Sequence, residues 1–255
     1  MKFPIKMQKK IVPGEILLIL FCFIVNSQIS TAQSLSSEKS QYLFIENKGQ
    51  VADADGNKRP DVLFTAENSG AIILLRSTGL SYVTSKTEGV FENEETLEDI
   101  AVANEAHLIG QRVDVDFINT NADMQVIKEN ASPFHYNYYY DHCPDGVTMV
   151  KAFNKVTYRD IYNGVDGIFY SRENGFKYDL VVRPGADPSE IRLAYTGSDK
   201  ITQENGKIII STCTGIISEW MPKIYQVING EVKSVDASYV LNENNVLSFS
   251  IGEYN

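Results

Sequence analysis

Four carboxylates are the side chains of this sequence that could most directly carry out a reaction: Asp160, Asp166, Asp179 and Glu190. A glycoside hydrolase needs two such groups, about 5–5.5 Å apart for retention and about 6.5–9.5 Å apart for inversion. The sequence does not set the separation of any pair, and Arg159 beside Asp160 is more typical of a surface ion pair. No nucleophile elbow, His-Glu-x-x-His motif or phosphate-binding loop is present. We therefore expect a non-enzymatic protein, with a carboxylate-based glycoside hydrolase as a less favoured alternative.

Metal ligands are the next chemistry to test. The stretch "DADGNKRPD" places Asp53, Asp55 and Asn57 at the first three oxygen positions of a calcium loop. Position six is Lys58 rather than the required Gly, and position twelve carries no Glu. The stretch is thus a weak calcium candidate, and a turn closed by the Asp53 side chain is favoured over it. We expect no metal site and no cofactor.

Histidine and cysteine give little support for a metal. His135 and His142 are seven residues apart, which in a regular strand places them on opposite faces. Cys143 and Cys213 are the two cysteines that remain once Cys22 is assigned to a leader. In an exported chain such a pair is a possible disulfide, with two separate buried thiols as the alternative.

A tyrosine row is the best candidate for binding. In "HYNYYY" a strand places Tyr136, Tyr138 and Tyr140 on one face, with Asn137 and Tyr139 on the other. An exposed aromatic row can bind glycans or proteins, because a tyrosine ring offers flat apolar area with a polar tip. The competing interpretation is that one face belongs to the core and that Tyr139 is a single exposed ring.

The first 33 residues are typical of a secretory signal peptide. Four Lys residues precede an apolar run from Ile16 to Val25, and small and polar residues follow it. A membrane anchor would need about 20 apolar residues, roughly twice this run. We expect a signal peptide over 1–33, a polar tether over 34–41 and an exported domain over 42–255. After cleavage no membrane span remains.

Charge excludes one class of partner. The leader carries four Lys and one Glu, so its removal changes the net charge from −10 to −13. A surface this acidic repels phosphate backbones and anionic headgroups. Nucleic acid is therefore not an expected partner.

The remaining elements predict an all-β, antiparallel, sandwich-like fold with little helix. Strand patterns alternate with turn signals throughout, and Val113, Val115 and Phe117 show the period of two of a half-buried strand. One helical turn is predicted from Asp187 to Ile191, where Asp187 can cap and Pro188 begins the turn. The strongest hairpin signals are four Asn-Gly pairs, at residues 163–164, 174–175, 205–206 and 229–230.

Two subdivisions are also predicted. The segment 87–105 is rich in acidic residues and contains no Lys or Arg, which indicates a solvated excursion, with a short helix around Leu97 to Ala103 as the less favoured alternative. The domain could divide into lobes over 42–132 and 133–255.

Three stretches resemble one protein family. They are "FIENKGQ", "VTYRDIYNGVDGIFYS" and "KYDLVVRPGADPSEIRLAYTGSDKI". They resemble the N-terminal β-rich domain of large exported surface proteins of the Bacteroidetes, over about residues 42–254. Such proteins often continue into SBBP-type propeller repeats or PKD-like domains, and end in a type IX secretion or gliding-motility sorting segment.

The resemblance implies a cell-surface module with a structural, adhesion or docking role and no catalytic residues. Its expected partners are surface glycans or other surface-protein domains. The chain stops where such domains usually continue, so we expect a truncated head of a larger protein. The expected location is extracellular or on the outer-membrane surface, or the periplasm if the sorting segment is lacking.

Overall fold

The computed structural model describes residues 16–19, 43–68, 71–88, 107–172 and 175–254. Most of the predicted acidic excursion and the Asn174 turn position lie outside these ranges. Of the described residues 70% are strand and 2% are helix, which confirms the all-β prediction. The strands are β1 Ile16–Ile19, β2 Phe44–Glu46, β3 Val62–Asn68, β4 Ala71–Arg76, β5 Gly79–Glu88, β6 His107–Phe117, β7 Gln125–Tyr140, β8 Cys143–Tyr162, β9 Val165–Arg172, β10 Gly175–Val182, β11 Leu193–Thr196, β12 Lys200–Glu204, β13 Lys207–Thr212, β14 Gly215–Trp220, β15 Lys223–Ile228, β16 Glu231–Ser234, β17 Ala237–Leu241 and β18 Val246–Ile251.

One large sheet and one small sheet contain these strands. The large sheet has the order β16-β15-β1-β10-β9-β8-β2-β3-β4-β5-β6-β11-β18-β17, with β7 pairing along β8. The small sheet has the order β12-β13-β14. Each strand pair in the described part of the chain is antiparallel.

The large sheet folds over on itself as a sandwich. Phe44 on β2 contacts Phe176 on β10 with ring centroids 6.3 Å apart, although β8 and β9 separate these strands in the sheet order. Phe117 on β6 likewise stacks on Phe169 of β9 at 6.5 Å. Such contacts require the β2–β6 layer to lie face to face with the β8–β10 layer. The alternation seen in the sequence directs these side chains inward.

The predicted lobes share this sheet. The boundary at residue 132 falls inside β7, and β11 pairs with β6 from the other side of that boundary. The small sheet joins the same core through Ile208, Ile210 and Ile217.

Two of the Asn-Gly pairs form the predicted turns. At Asn205-Gly206 and Asn229-Gly230 both residues have positive φ, as a type I′ turn requires. At the third pair Gly164 has positive φ and Asn163 does not. Tyr162 still pairs with Val165 across this two-residue connection, and Asp160, which also has positive φ, lies where the β8–β9 register shifts between Tyr158 and Tyr162.

The stretch "RPGADPSEI" forms a turn outside the sheet, as its prolines predict. A short 3-10 helix spans Pro188–Glu190, and the Asp187 carboxylate accepts a hydrogen bond from the Ser189 N–H. This stretch packs on the β8–β9 turn: the Gly164 carbonyl accepts from the Arg183 N–H, and a Cβ on Gly164 would lie 2.7 Å from that of Ala186. Two of the stretches that carry the family resemblance are therefore in direct contact.

Among the described residues, no helix is both long and apolar enough to cross a membrane.

Candidate binding site

The tyrosine row lies on a long hairpin. Strands β7 and β8 pair along most of their length, and their register shifts three times between Ala131 and Tyr140. We call the end of this hairpin, residues 131–153, the arm. Its irregular pairing turns the ring-bearing face of β7 toward β2–β5, because a bulge re-aims the residues beside it.

Four rings of the arm form a continuous stack, which we call the tyrosine ladder. The centroids of Tyr136 and Tyr138 are 6.4 Å apart, those of Tyr138 and Tyr140 5.8 Å, and those of Tyr140 and His142 5.4 Å. The three predicted tyrosines thus share one face, as the sequence indicated. Tyr139 is on the other face, with 70% of its surface exposed. His142 is a member that sequence reasoning missed, since it follows the end of β7.

Tyr138, Tyr140 and His142 of the ladder line a groove of about 630 Å³ on the outer face of the β2–β5 layer, whereas Tyr136 does not line it. Ile72, Leu74 and Val83 form an apolar floor, although they point away from the core. The pattern of alternation could not have identified them, because β4 is aliphatic on both faces. The remaining lining residues, apart from those of the ladder, are Ile45, Gln50, Val51, Ala52, Asp53, Thr65, Glu67 and Asp141.

The electrostatics of the groove are acidic. Asp53, Glu67 and Asp141 lie at its edge, and no Lys or Arg is among the described residues that line it. Burial raises the pKa of Tyr138, and the neighbouring Tyr140, Tyr136 and Glu67 add to that increase. Tyr138 is therefore a neutral hydroxyl at ordinary pH, able both to donate and to accept hydrogen bonds.

The stretch "ENKGQ" anchors the arm above this groove. The Gln50 carbonyl lies 2.9 Å from His142 Nε2, and Lys48 Nζ donates to the Met149 carbonyl at 3.1 Å. Glu46 Oε1 accepts from the Lys151 N–H at 3.0 Å.

Asn47 shapes the loop that makes these contacts. Its Oδ1 accepts from the Gly49 and Val51 N–H groups, and its Nδ2 donates to the Arg59 and Val62 carbonyls. Gln50 is itself buried, and its Nε2 donates to the Glu46 carbonyl. The "ENKGQ" stretch, which the sequence analysis singled out only for its family resemblance, thus holds the candidate site in position.

A second groove, of about 590 Å³, is lined by residues 46–49 of the anchoring stretch and by residues 58–60. Burial of Glu46 in this groove raises the pKa of its carboxyl. The hydrogen bonds that the carboxyl accepts from Lys128 Nζ at 2.8 Å and from the Lys151 N–H outweigh burial, so the pKa is lowered overall. Arg59 forms a bidentate pair with Asp61. Because these cations already have carboxylate partners, this groove is a weaker candidate for an anion site than its Lys and Arg content implies.

Two of the four predicted carboxylates, Asp160 and Asp166, share one arginine. Arg183 bridges Asp160 and Asp166, and Asp166 Oδ1 lies 2.9 Å from its Nη1. Asp160 therefore pairs with Arg183 and not with its neighbour Arg159. Asp179 accepts from the Tyr170 hydroxyl, and Glu190 lies on the 3-10 helix.

The calcium candidate is a closed turn. Asp53 accepts from the backbone N–H groups of Asn57 and Asp55 and from the Asn57 side chain, and these bonds lower the pKa of the Asp53 carboxyl. Asp53 therefore uses its oxygens within its own loop, as the turn interpretation predicts. Within the described residues no three His, Cys, Asp or Glu side chains are grouped to hold a metal ion.

The two cysteines are free thiols in the structure, so the possible disulfide is absent from it. Cys143 is buried beside Tyr140 at the start of β8, whereas Cys213 is exposed in the turn between β13 and β14. The Cys213 N–H donates to the Gln111 side chain.

A family model described as a domain of unknown function, DUF7948, matches residues 44–255. The chain belongs to this family. The DUF7948 match begins at β2, so it includes the arm, the groove and the anchoring loop and leaves out β1. Comparisons with curated proteins and with solved structures found no match.

Proposed function

We propose that this DUF7948 chain is an exported, non-enzymatic surface module and that the groove beneath the tyrosine ladder binds a neutral glycan. The ladder is the observation that carries the proposal. Sugars combine apolar C–H faces with hydroxyl groups, and they match a site that combines aromatic rings with polar side chains. Here Tyr138 and Tyr140 supply the rings, and Glu67 and Asp141 supply acceptors at the groove edge.

The charge of the groove supports a neutral ligand over an anionic one. Three carboxylates at its edge would repel uronic acids, sulfated sugars and phosphate groups. The net charge of −10 for the whole chain acts in the same direction. The apolar floor of Ile72, Leu74 and Val83 favours a ligand with little charge of its own.

Export rests on the predicted leader, and the surface location on the resemblance to Bacteroidetes surface proteins. In that setting a glycan-binding module would attach the protein to a cell wall, a host surface or a polymeric nutrient.

Alanine substitution in the ladder tests the glycan proposal. Tyr138→Ala and Tyr140→Ala should each weaken binding to neutral glycans on an array at least tenfold, because sugar–ring stacking is lost along with polar contacts. Tyr139→Ala is the matched control, since it removes the same side chain from the other face of β7 and should leave glycan binding unchanged. Circular dichroism would verify that all three variants are folded.

Three outcomes would contradict the proposal. They are no binding of any neutral glycan by the unsubstituted chain, preferential binding of anionic glycans, and equal loss in all three variants. Protein docking is the alternative use of the arm, because Phe134, Tyr139 and Met149 are exposed apolar side chains there. It predicts that Tyr139→Ala reduces capture of a protein partner while glycan binding is absent.

A further inference from the structure

Strand β1 occupies an unusual place in the large sheet. It lies between β10 and β15 and is antiparallel to both, with Leu17 opposite Val181 on one side and Tyr225 on the other. β10 and β15 therefore do not pair with each other. Each uses one edge to hydrogen-bond with a strand taken from the apolar run of the predicted leader.

The slot that holds β1 is mostly apolar. On β10, Leu180 and Val182 are fully buried and Val181 is 6% exposed, so consecutive residues are covered on both faces. On β15, Ile224 is 3% exposed, and the buried Gln226 opposite Ile16 is a polar neighbour. A strand with neighbours on both faces must itself be apolar at successive positions. β1, with the sequence Ile-Leu-Leu-Ile, satisfies this condition.

The leader should not stay in this slot. The DUF7948 match begins at residue 44, so β1 is not part of the family's domain. If the leader is cleaved near residue 33, as the proposed export requires, β10 and β15 lose their shared neighbour. Unpaired N–H and C=O groups on two facing strand edges are costly where water is excluded, and they are a template for another strand.

We propose that, once the leader has been removed, the slot between β10 and β15 accepts an extended aliphatic strand from a partner chain. The inserted strand runs antiparallel to both neighbours and carries at least four consecutive aliphatic residues, as β1 does. Backbone hydrogen bonds supply affinity, and the apolar faces supply selectivity. The inference rests on the proposed export and is independent of glycan binding at the arm.

A partner chain fits the slot better than a second copy of this chain. The strands with a free edge in the described sheets include β7, β16 and β17, and none of these three has four consecutive aliphatic residues. Apart from β1, the described strand with four consecutive aliphatic residues is β4, which pairs on both sides, with β3 and β5. A second processed copy would have lost its own β1.

A labelled peptide tests the slot. The chain is produced with export and recovered, and its N-terminus is sequenced. Binding of a fluorescent peptide with the sequence of residues 14–21 and a solubilising Lys tail is then measured by anisotropy. The processed chain should bind it at least tenfold more tightly than the unprocessed chain made by cell-free synthesis, in which β1 fills the slot.

A backbone-modified peptide is the matched control. N-methyl groups on the residues equivalent to Leu17 and Ile19 keep the side chains but remove backbone donors, and binding should fall at least tenfold. Equal binding of both peptides, or none by the processed chain, overturns the proposal. A mature N-terminus upstream of Ile16 overturns it too, and contradicts leader removal while leaving the glycan test unaffected. A processed dimer that does not bind peptide would identify a second copy as the occupant.

Discussion

At the scale of single residues, Glu219 is the most unusual side chain of the fold. It lies on β14 of the small sheet and is 1% exposed. Its carboxyl accepts a hydrogen bond from the Tyr82 hydroxyl at 2.9 Å and another from the Tyr195 hydroxyl at 2.6 Å. These tyrosines belong to β5 and β11, so this one acid joins the small sheet to the large sheet.

Burial determines the acidity of Glu219. It raises the pKa of the carboxyl, and the bonds from Tyr195 and Tyr82 only partly offset that increase. The folded chain therefore holds this proton more tightly than the unfolded chain does. The contribution of Glu219 to stability is fully present below the usual glutamate pKa of 4.5 and is lost as the pH rises through the folded pKa.

Glu219→Gln should remove this dependence on pH. We expect the free energy of unfolding of the unsubstituted chain to fall as the pH rises above 4.5, by about 1.4 kcal/mol for each unit by which the pKa is raised. The variant should lack that part of the fall. Urea unfolding between acidic and neutral pH would measure it. Glu231→Gln, at an exposed position, is the control, and parallel curves for the two variants would contradict the argument.

The ion pairs of Asp160 show a second residue-scale effect. Asp160 has a φ of 55°, which its side chain helps to hold: its Oδ1 accepts from the Gly164 N–H and pairs with Arg183. Arg183→Met should destabilise the fold by about 1 kcal/mol, since all three groups are partly exposed and water screens the charge.

Thermal unfolding would measure the effect of Arg183→Met. Lys86→Met is the matched control, because Lys86 pairs with Glu88 at a more open site and should change stability little. A variant of Arg183 as stable as the unsubstituted chain would show that backbone contacts alone hold the β8–β9 turn against the "RPGADP" stretch.

At the scale of elements, the arm depends on its anchor more than on the core. β7 is exposed or half-buried along its whole length, and in the described part of the chain it pairs only with β8. The contact between His142 and the Gln50 carbonyl lies at the tip, where a hairpin opens most easily. The position of the ladder over the groove therefore relies on a few polar contacts.

His142→Ala should loosen the arm without unfolding the domain. The substitution removes the ring stacked on Tyr140 and the bond to Gln50. We expect faster amide hydrogen exchange over residues 136–147, severalfold weaker ligand binding and a loss of stability below about 1 kcal/mol. His135→Ala on the same arm is the control, since His135 is exposed and lies opposite Lys151 in the β7–β8 pairing, away from the tip. Unchanged exchange at the tip would contradict the anchoring role.

At the scale of the whole molecule, the fold combines distant parts of the chain in one sandwich. β11 and β18, from the last quarter of the chain, continue the sheet begun by β3–β6, and β8 joins the two layers through pairs with both β9 and β2. This arrangement places the arm at one part of the sheet and the β1 slot at another. The two proposed binding functions can therefore be tested separately in one chain.

The sequence by itself determined the local structure. It predicted the strand character, the type I′ turns at Asn205-Gly206 and Asn229-Gly230, the capped turn at Asp187 and the shared face of Tyr136, Tyr138 and Tyr140. These features depend on backbone geometry and on side-chain alternation over a few residues, so neighbouring residues are enough to specify them.

Only the tertiary structure decided what those elements meet. The groove needs Ile72 and Leu74 beneath Tyr138, and the arm needs Gln50 beside His142, although these residues are far apart in the sequence. The placement of Glu219 between Tyr82 and Tyr195, and of β1 between β10 and β15, likewise follows from sheet order. No local sequence pattern specifies the order of strands in the sheet, because the burial of the whole core selects which strands pair.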